Sequence, residues 1–151
     1  MRLVSCLLAA GLLSGGASAG DMPATFAGLV LSTCVLTAGT AGVLTNNSSF
    51  NDLASTNAGG ARSTVVALTT GTGFKISALA PSSFVTGDST SVTFSADYNL
   101  NGVTTASGVA GATQTTLNLG TTTVSVGLDA QKSSGNFSAG AYSAIVTVRC
   151  E

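Results

Sequence analysis

The end of the chain constrains the fold most. Between Gly135 and Glu151, Tyr142, Ala144, Val146, Val148 and Cys150 recur at period two, while Thr147 and Arg149 take the other parity. Alternate side chains of a β-strand point to opposite faces, so this spacing predicts a strand with one apolar and one wet face. The strand closes on a cysteine one residue from the C-terminus, where a sulfur bridge ties down a loose end. The partner expected for Cys150 is Cys34, near the end of the first strand-like run. Closing a loop of well over a hundred residues stabilises a fold by about 4–5 kcal/mol in the chain-entropy account.

That pairing presupposes an oxidising compartment. Met1-Arg2, an apolar run from Leu3 to Leu13, and the small residues around Ala17-Ser18-Ala19 have the layout of a secretory signal peptide, with cleavage expected after Ala19. The apolar run is shorter than the ~20 residues of a spanning helix. Leu3-Val4-Ser5-Cys6 has the look of a lipoprotein box but stands before the apolar core rather than after it. The expected organisation is a signal peptide over 1–19 and a single domain over 20–151, exported to the periplasm, cell surface or medium, with no membrane insertion after cleavage. Cys34 and Cys150 are then the two remaining cysteines and have one connectivity open to them. The alternative, a reactive free thiol, asks for a basic or histidine neighbour, and the chain has no histidine.

Charge excludes further classes. Without Arg2, the basic residues are Arg62, Lys75, Lys132 and Arg149, four against six carboxylates, a net charge of −2. Scattered cations on an acidic chain give no footprint for nucleic acid or anionic lipid. Low charge with abundant Ser, Thr and Gly suggests disorder, but 44% hydrophobic residues and repeated β-branched runs argue for a folded body.

Those runs follow one another along the chain. Thr25 to Leu36 reads as the first strand, with Phe26, Gly28, Val30, Cys34 and Leu36 on one parity and Leu29, Leu31 and Val35 on the other, as for a strand covered on both faces. Strands are expected around Val65–Leu68 and over Phe74–Ala78, which Pro81 ends. Val92, Phe94, Ala96, Tyr98 and Leu100 form the cleanest alternation, and Asn101-Gly102 then predicts a type I′ turn into a strand from Val103 to Val109. Leu117 and Leu119 are expected to reach inward from a loop. Val124, Val126, Leu128 and Ala130 face in along the next strand. About seven short strands, turns roughly every ten residues and no helical period indicate an antiparallel β-sandwich.

No residue set announces a reaction. Without histidine there is no Ser-His-Asp triad and no histidine metal site. The carboxylates Asp21, Asp52, Asp88, Asp97, Asp129 and Glu151 fall in turns or on outward faces, so an acid–base pair such as Asp97 and Asp129 would need both turned into one cleft. Gly71-Thr72-Gly73 and Gly108–Gly111 open no helix and read as turns rather than phosphate loops. Glycosylation sequons at Asn46, Asn47 and Asn136 matter only in a eukaryotic secretory pathway. No calcium-loop spacing occurs. No catalytic residue, metal ligand or cofactor is expected.

From Thr25 to Leu36, the Phe26-Ala27-Gly28 start followed by an apolar residue and then Cys34 resembles the first strand of exported bacterial fimbrial subunits. The Gly/Ala turn before the Tyr142-containing strand is similar to the closing strand of pilins and of spore-coat-protein-U-like domains. The resemblance covers the two ends, about a fifth of the chain. It implies an immunoglobulin-like sandwich and a structural or adhesive role in surface fibres or coats, with like subunits or a periplasmic chaperone and usher as partners. Pilins usually pair the first-strand cysteine with one in the next strand, whereas here the partner is Cys150. They also carry an N-terminal arm that completes a neighbour's sheet. Here only Gly20–Thr25 precede Phe26, and Pro23 would interrupt a ladder, which argues against strand donation and for a self-complete sandwich closed by its own last strand. A monomeric carbohydrate-binding module is the alternative, with Tyr98 and Tyr142 as its stacking side chains. An enzyme is the least supported class.

Overall fold

Two runs of alternating residues make the backbone of the fold. Val92–Gly102 (β6) and Gly120–Lys132 (β9) pair antiparallel from Val92 opposite Lys132 to Gly102 opposite Thr122. Tyr98 and Leu100 on β6, and Val124, Val126, Leu128 and Ala130 on β9, point inward and are buried. Each strand thus puts its apolar parity on one face of the same sheet.

The computed structural model describes residues 21–151, so the expected signal segment over 1–19, the expected cleavage after Ala19 and Cys6 lie outside the described residues. In chain order the other strands are Cys34–Ala38 (β1), Thr45–Asn46 (β2), Asp52–Ala54 (β3), Ser63–Thr69 (β4), Lys75–Leu79 (β5), Ala106–Ala110 (β7), Thr115–Thr116 (β8) and Thr147–Cys150 (β10). No helix occurs among the described residues. The larger sheet has β9 at its centre. β6 and then β7 lie on one side of it. On the other side, β4 and β1 flank its first half and β3 and β2 its second. The smaller sheet runs β10-β5-β8. The fold is an all-β antiparallel sandwich of ten strands rather than about seven; several of the extra ones are two or three residues long.

The sheets are joined by packing and by specific bonds. Ala67, Ile76, Ala78, Tyr98, Leu100, Leu117, Val124 and Val126 form the main core, and Leu53, Phe84, Ala130 and Phe137 a second. The fully buried Tyr98 spans the layers, with its hydroxyl 2.7 Å from both Thr113 O and Thr115 Oγ1 and 3.2 Å from Ile76 O. Gly111 donates to Ala96 O and accepts from Ala78 N, each at 2.8 Å, where a Cβ would run into both carbonyl oxygens. Cys34 and Cys150 are disulfide-bonded, Cα atoms 6.3 Å apart, which links β1 of one sheet to β10 of the other.

Four expectations are corrected. The first strand begins at Cys34, not Thr25, because its partner β4 stops at Thr69 opposite Cys34 and offers no ladder further out. The closing strand keeps its alternation from Tyr142, but its ladder starts only at Thr147. Asn101-Gly102 makes no type I′ turn, since both residues stay paired to Thr123 and Thr122 of β9, and β7 starts at Ala106. Leu117 is buried as expected, but Leu119, next to the start of β9, is 60% exposed.

Candidate functional site

Shortening the first and last strands leaves two unpaired features. The first is an arm. Residues 21–33 form no strand and are exposed throughout, among them Met22, Phe26 at 93%, Leu29 at 84% and Val30 at 85%. Thr70 fixes the arm's base: it donates its N–H to Thr33 O (2.9 Å), takes the Thr33 N–H on Oγ1 (3.0 Å) and reaches Leu31 O (3.1 Å). Beyond Leu31 the arm touches no strand. A run of large apolar side chains held in water is costly, at about 1.5–3 kcal/mol for each one that could be buried.

The second feature is a groove of about 390 Å³ between the two sheets. On the large-sheet side it is lined by Val43, Val65, Val126 and Leu128, and opposite them by Tyr142, Ala144, Val146 and Val148. Val43 is held by paired bonds to Ala61 (2.8 and 2.9 Å). On the facing side Ser143 is bonded to Val85 and Thr86, but no ladder runs through Ala144, Ile145 and Val146. The groove therefore lies beside open backbone as well as apolar side chains. An extended apolar segment satisfies both at once.

The chain's own arm is badly placed to fill its own groove. From Cys34, β1 runs on through Thr40 to Val43 along one wall, while the arm leaves the opposite end of β1, with its exit tied to Thr70. Filling the groove from within would need a reversal at Thr33–Cys34, where the disulfide and the Thr70 bonds fix the backbone. An arm from a second copy has no such constraint. Residues 21–30 span about 33 Å when extended, and the Tyr142–Val148 wall about 23 Å, at ~3.3 Å per residue.

The carboxylates do not form a catalytic cleft. Asp97 and Asp129 share the outward face of the large sheet with Asp52, as the register of β3, β9 and β6 requires. Arg62 pairs with Asp97 through Nη2, donates to Ser125 O at 3.3 Å, and lies over Gly127, whose missing side chain makes the room. Asp129 is held above the ordinary aspartate value, first by burial and then by the Asp52 charge. Asp88 is held below it, first by its hydrogen bond from Lys132 Nζ at 2.9 Å and then by Thr90. Glu151 accepts from Gln114, and Asp21 lies in the arm. No group of three or more His, Cys, Asp or Glu placed to hold a metal occurs among the described residues. Of the two candidate stacking residues, Tyr98 is in the core, and Tyr142 packs edge-on against Phe84 and Phe137.

Sequence reasoning saw the apolar residues of the arm but placed them inside. One signal pointed outward. No charged residue separates Asp21 from Asp52, or Lys132 from Arg149, so both the arm and the groove wall lack the charges that usually guard exposed edges. Comparison of the chain with protein-family models, with curated proteins and with solved structures finds no match in any of the three.

Proposed function

We propose that the protein is an exported structural subunit of a surface fibre or coat, related to fimbrial or spore-coat-U-like proteins, in which copies join by strand donation. The observation that carries this reading is the coexistence, in one chain, of an exposed apolar arm and an open apolar groove that the arm cannot easily fill from within. Strand addition supplies main-chain bonds to the free edge, and alternate side chains of the arm enter the groove. A head-to-tail contact of this kind propagates into a filament where the rotation between copies does not close a ring. Before a copy arrives, a chaperone strand in the same groove would keep it covered. The monomeric carbohydrate-binding alternative loses support because Tyr98 is fully buried and Tyr142 is half-buried against Phe84 and Phe137.

The test is self-association. Light scattering of the purified protein should show concentration-dependent oligomers, which disappear when residues 21–30 are deleted. A synthetic 21–33 peptide should bind that deletion variant. A protein that stays monomeric at high concentration, with no peptide binding, would overturn the proposal.

A further inference from the structure

The bridge that ties the two sheets also limits the groove between them. β1 ends the large sheet on its side and β10 ends the small one, so each has an edge with no strand against it among the described residues. The bonds on the paired edges show which residues serve the unpaired ones. Glu151 exchanges both backbone bonds with Lys75, and Ser143 bonds to Val85 and Thr86, so odd-numbered residues of the closing segment face the β5 side. Successive residues of an antiparallel ladder aim their N–H and C=O groups to opposite sides. Ala144, Val146, Val148 and Cys150 therefore turn theirs away from β5. On β1, the bonds of Thr33 to Thr70 and of Gly39 to Thr64 put odd residues on the β4 side and turn Cys34, Leu36 and Ala38 away from it. The Cys34–Cys150 bridge joins these two unpaired edges into one seam.

Strand spacing decides what the seam can hold. Paired strands lie about 4.8 Å apart, so a strand bonded to both edges needs them about 9.6 Å apart. The Cα atoms of Cys34 and Cys150 are 6.3 Å apart, and no strand passes between them. Away from the bridge the seam widens into the groove, whose lining runs from Val43 and Tyr142 to Val65 and Val148 and stops short of Leu36 and Cys34. Those two instead pack with Val148 and Cys150 against the main core. The groove is covalently shut at that end.

We propose that the Cys34–Cys150 bridge is an end stop for a donated strand: the arm of a second copy pairs along Tyr142–Val148 and can pair no further. This rests on the strand-donation reading and adds to it a limit on depth. The arm needs one. Its large apolar residues fall on both parities, Phe26 and Val30 on one and Leu29 and Leu31 on the other, and no charge follows Asp21 before Asp52. A strand of that kind specifies its own register weakly, because a slip by one residue still presents apolar side chains to the groove. The arm's base is tied to its own copy through Thr70, which leaves the tip to meet the stop. Each joint then uses the same stretch of wall, and successive copies repeat at one spacing.

Deuterium exchange in the assembled protein decides it, quenched and read residue by residue by NMR after dissociation. Relative to the dilute monomer, the amides of Ala144, Val146 and Val148 should slow by at least about tenfold on assembly, while that of Cys150, aimed at the same seam, keeps its monomer rate. In Cys34→Ala/Cys150→Ala the seam can open, and the slowing should extend to position 150. If that variant folds poorly, the contrast between Val148 and Cys150 in the wild type remains the test. Assemblies in which the slowing runs on through Cys150 in the wild type, or still ends at Val148 in the folded variant, overturn the end stop and leave strand donation standing. Assemblies without slowing over Ala144–Val148, or a protein that never assembles, overturn both.

Discussion

Removing the disulfide is the most quantitative test of the architecture. Cys34 and Cys150 lie 116 residues apart and join two sheets that otherwise meet through side chains and a few bonds. In the chain-entropy account, freeing a loop of that length costs about 4.8 kcal/mol at 25 °C, because the unfolded chain regains conformations the bridge had excluded. With an unfolding entropy of about 2.1 cal/mol/K per residue over roughly 130 residues, that corresponds to a fall in Tm of about 17 °C. Both cysteines are only partly buried, so a Cys34→Ala/Cys150→Ala double variant opens little cavity, and the loss should come mainly from the unfolded state. Calorimetry of the oxidised protein and the double variant measures the difference. Urea melts should show a larger m for the variant, whose unfolded chain is less confined. A Tm drop of less than about 4 °C, with m unchanged, would refute the view that the bridge acts by constraining this loop.

Other outcomes follow from individual residues. Tyr98→Phe should cost about 1–3 kcal/mol in urea, since the lost hydroxyl leaves Ile76 O, Thr113 O and Thr115 Oγ1 short of a partner in the core. Leu117→Ala should cost about 2–5 kcal/mol, whereas Leu119→Ala should stay within about 0.5 kcal/mol. Comparable losses at both sites would contradict the observed burial. The pH dependence has a worked sign. Folded Asp129 keeps its proton above the ordinary value near 3.8, so between that value and its raised one the folded state binds more protons and stability falls as pH rises. Asp129→Asn should therefore raise the urea midpoint at pH 7.5 and leave it unchanged in acid. Asp88 is held low by Lys132, so its contribution is present above the ordinary value and lost as the pH falls through the depressed one; Asp88→Asn should lower the midpoint slightly at neutral pH and not at all in strong acid.

Much of the sandwich was legible because its central strands are long and half-buried. Tyr98, Leu100, Val124, Val126 and Ala130 were readable as inward from parity alone, since a one-residue slip would turn each run inside out. The Cys34–Cys150 bridge followed from there being one pairing to choose. The hairpin Thr45–Ala54 was not readable: Asp52-Leu53-Ala54 is too short and too polar to show a period. Asn101-Gly102 misled because turn propensity is local, while the β9 ladder that keeps both residues paired is set by strands distant in sequence. The groove was invisible for a different reason. It is made by Val43, Val126 and Val146, which no sequence pattern places together, beside Ala144–Val146, whose alternation does not reveal that they lie outside a ladder.

The misplaced arm is the more instructive case. Alternation of apolar residues reports that a segment is suited to being covered, but not which molecule covers it. Phe26, Leu29, Val30 and Leu31 have the composition of a buried strand and the exposure of a tail. Folding alone cannot account for that combination, since an arm that stayed in water would gain nothing from such side chains and would promote aggregation. The same chain leaves Ala144–Val146 without a ladder beside an apolar groove, with no charge, proline or bulge to protect it. Each feature alone is a liability. On the strand-donation reading proposed above, they are the two halves of one β-sheet contact, which the Thr70 anchor and the Cys34–Cys150 bridge at the arm's base would direct outward, to another copy.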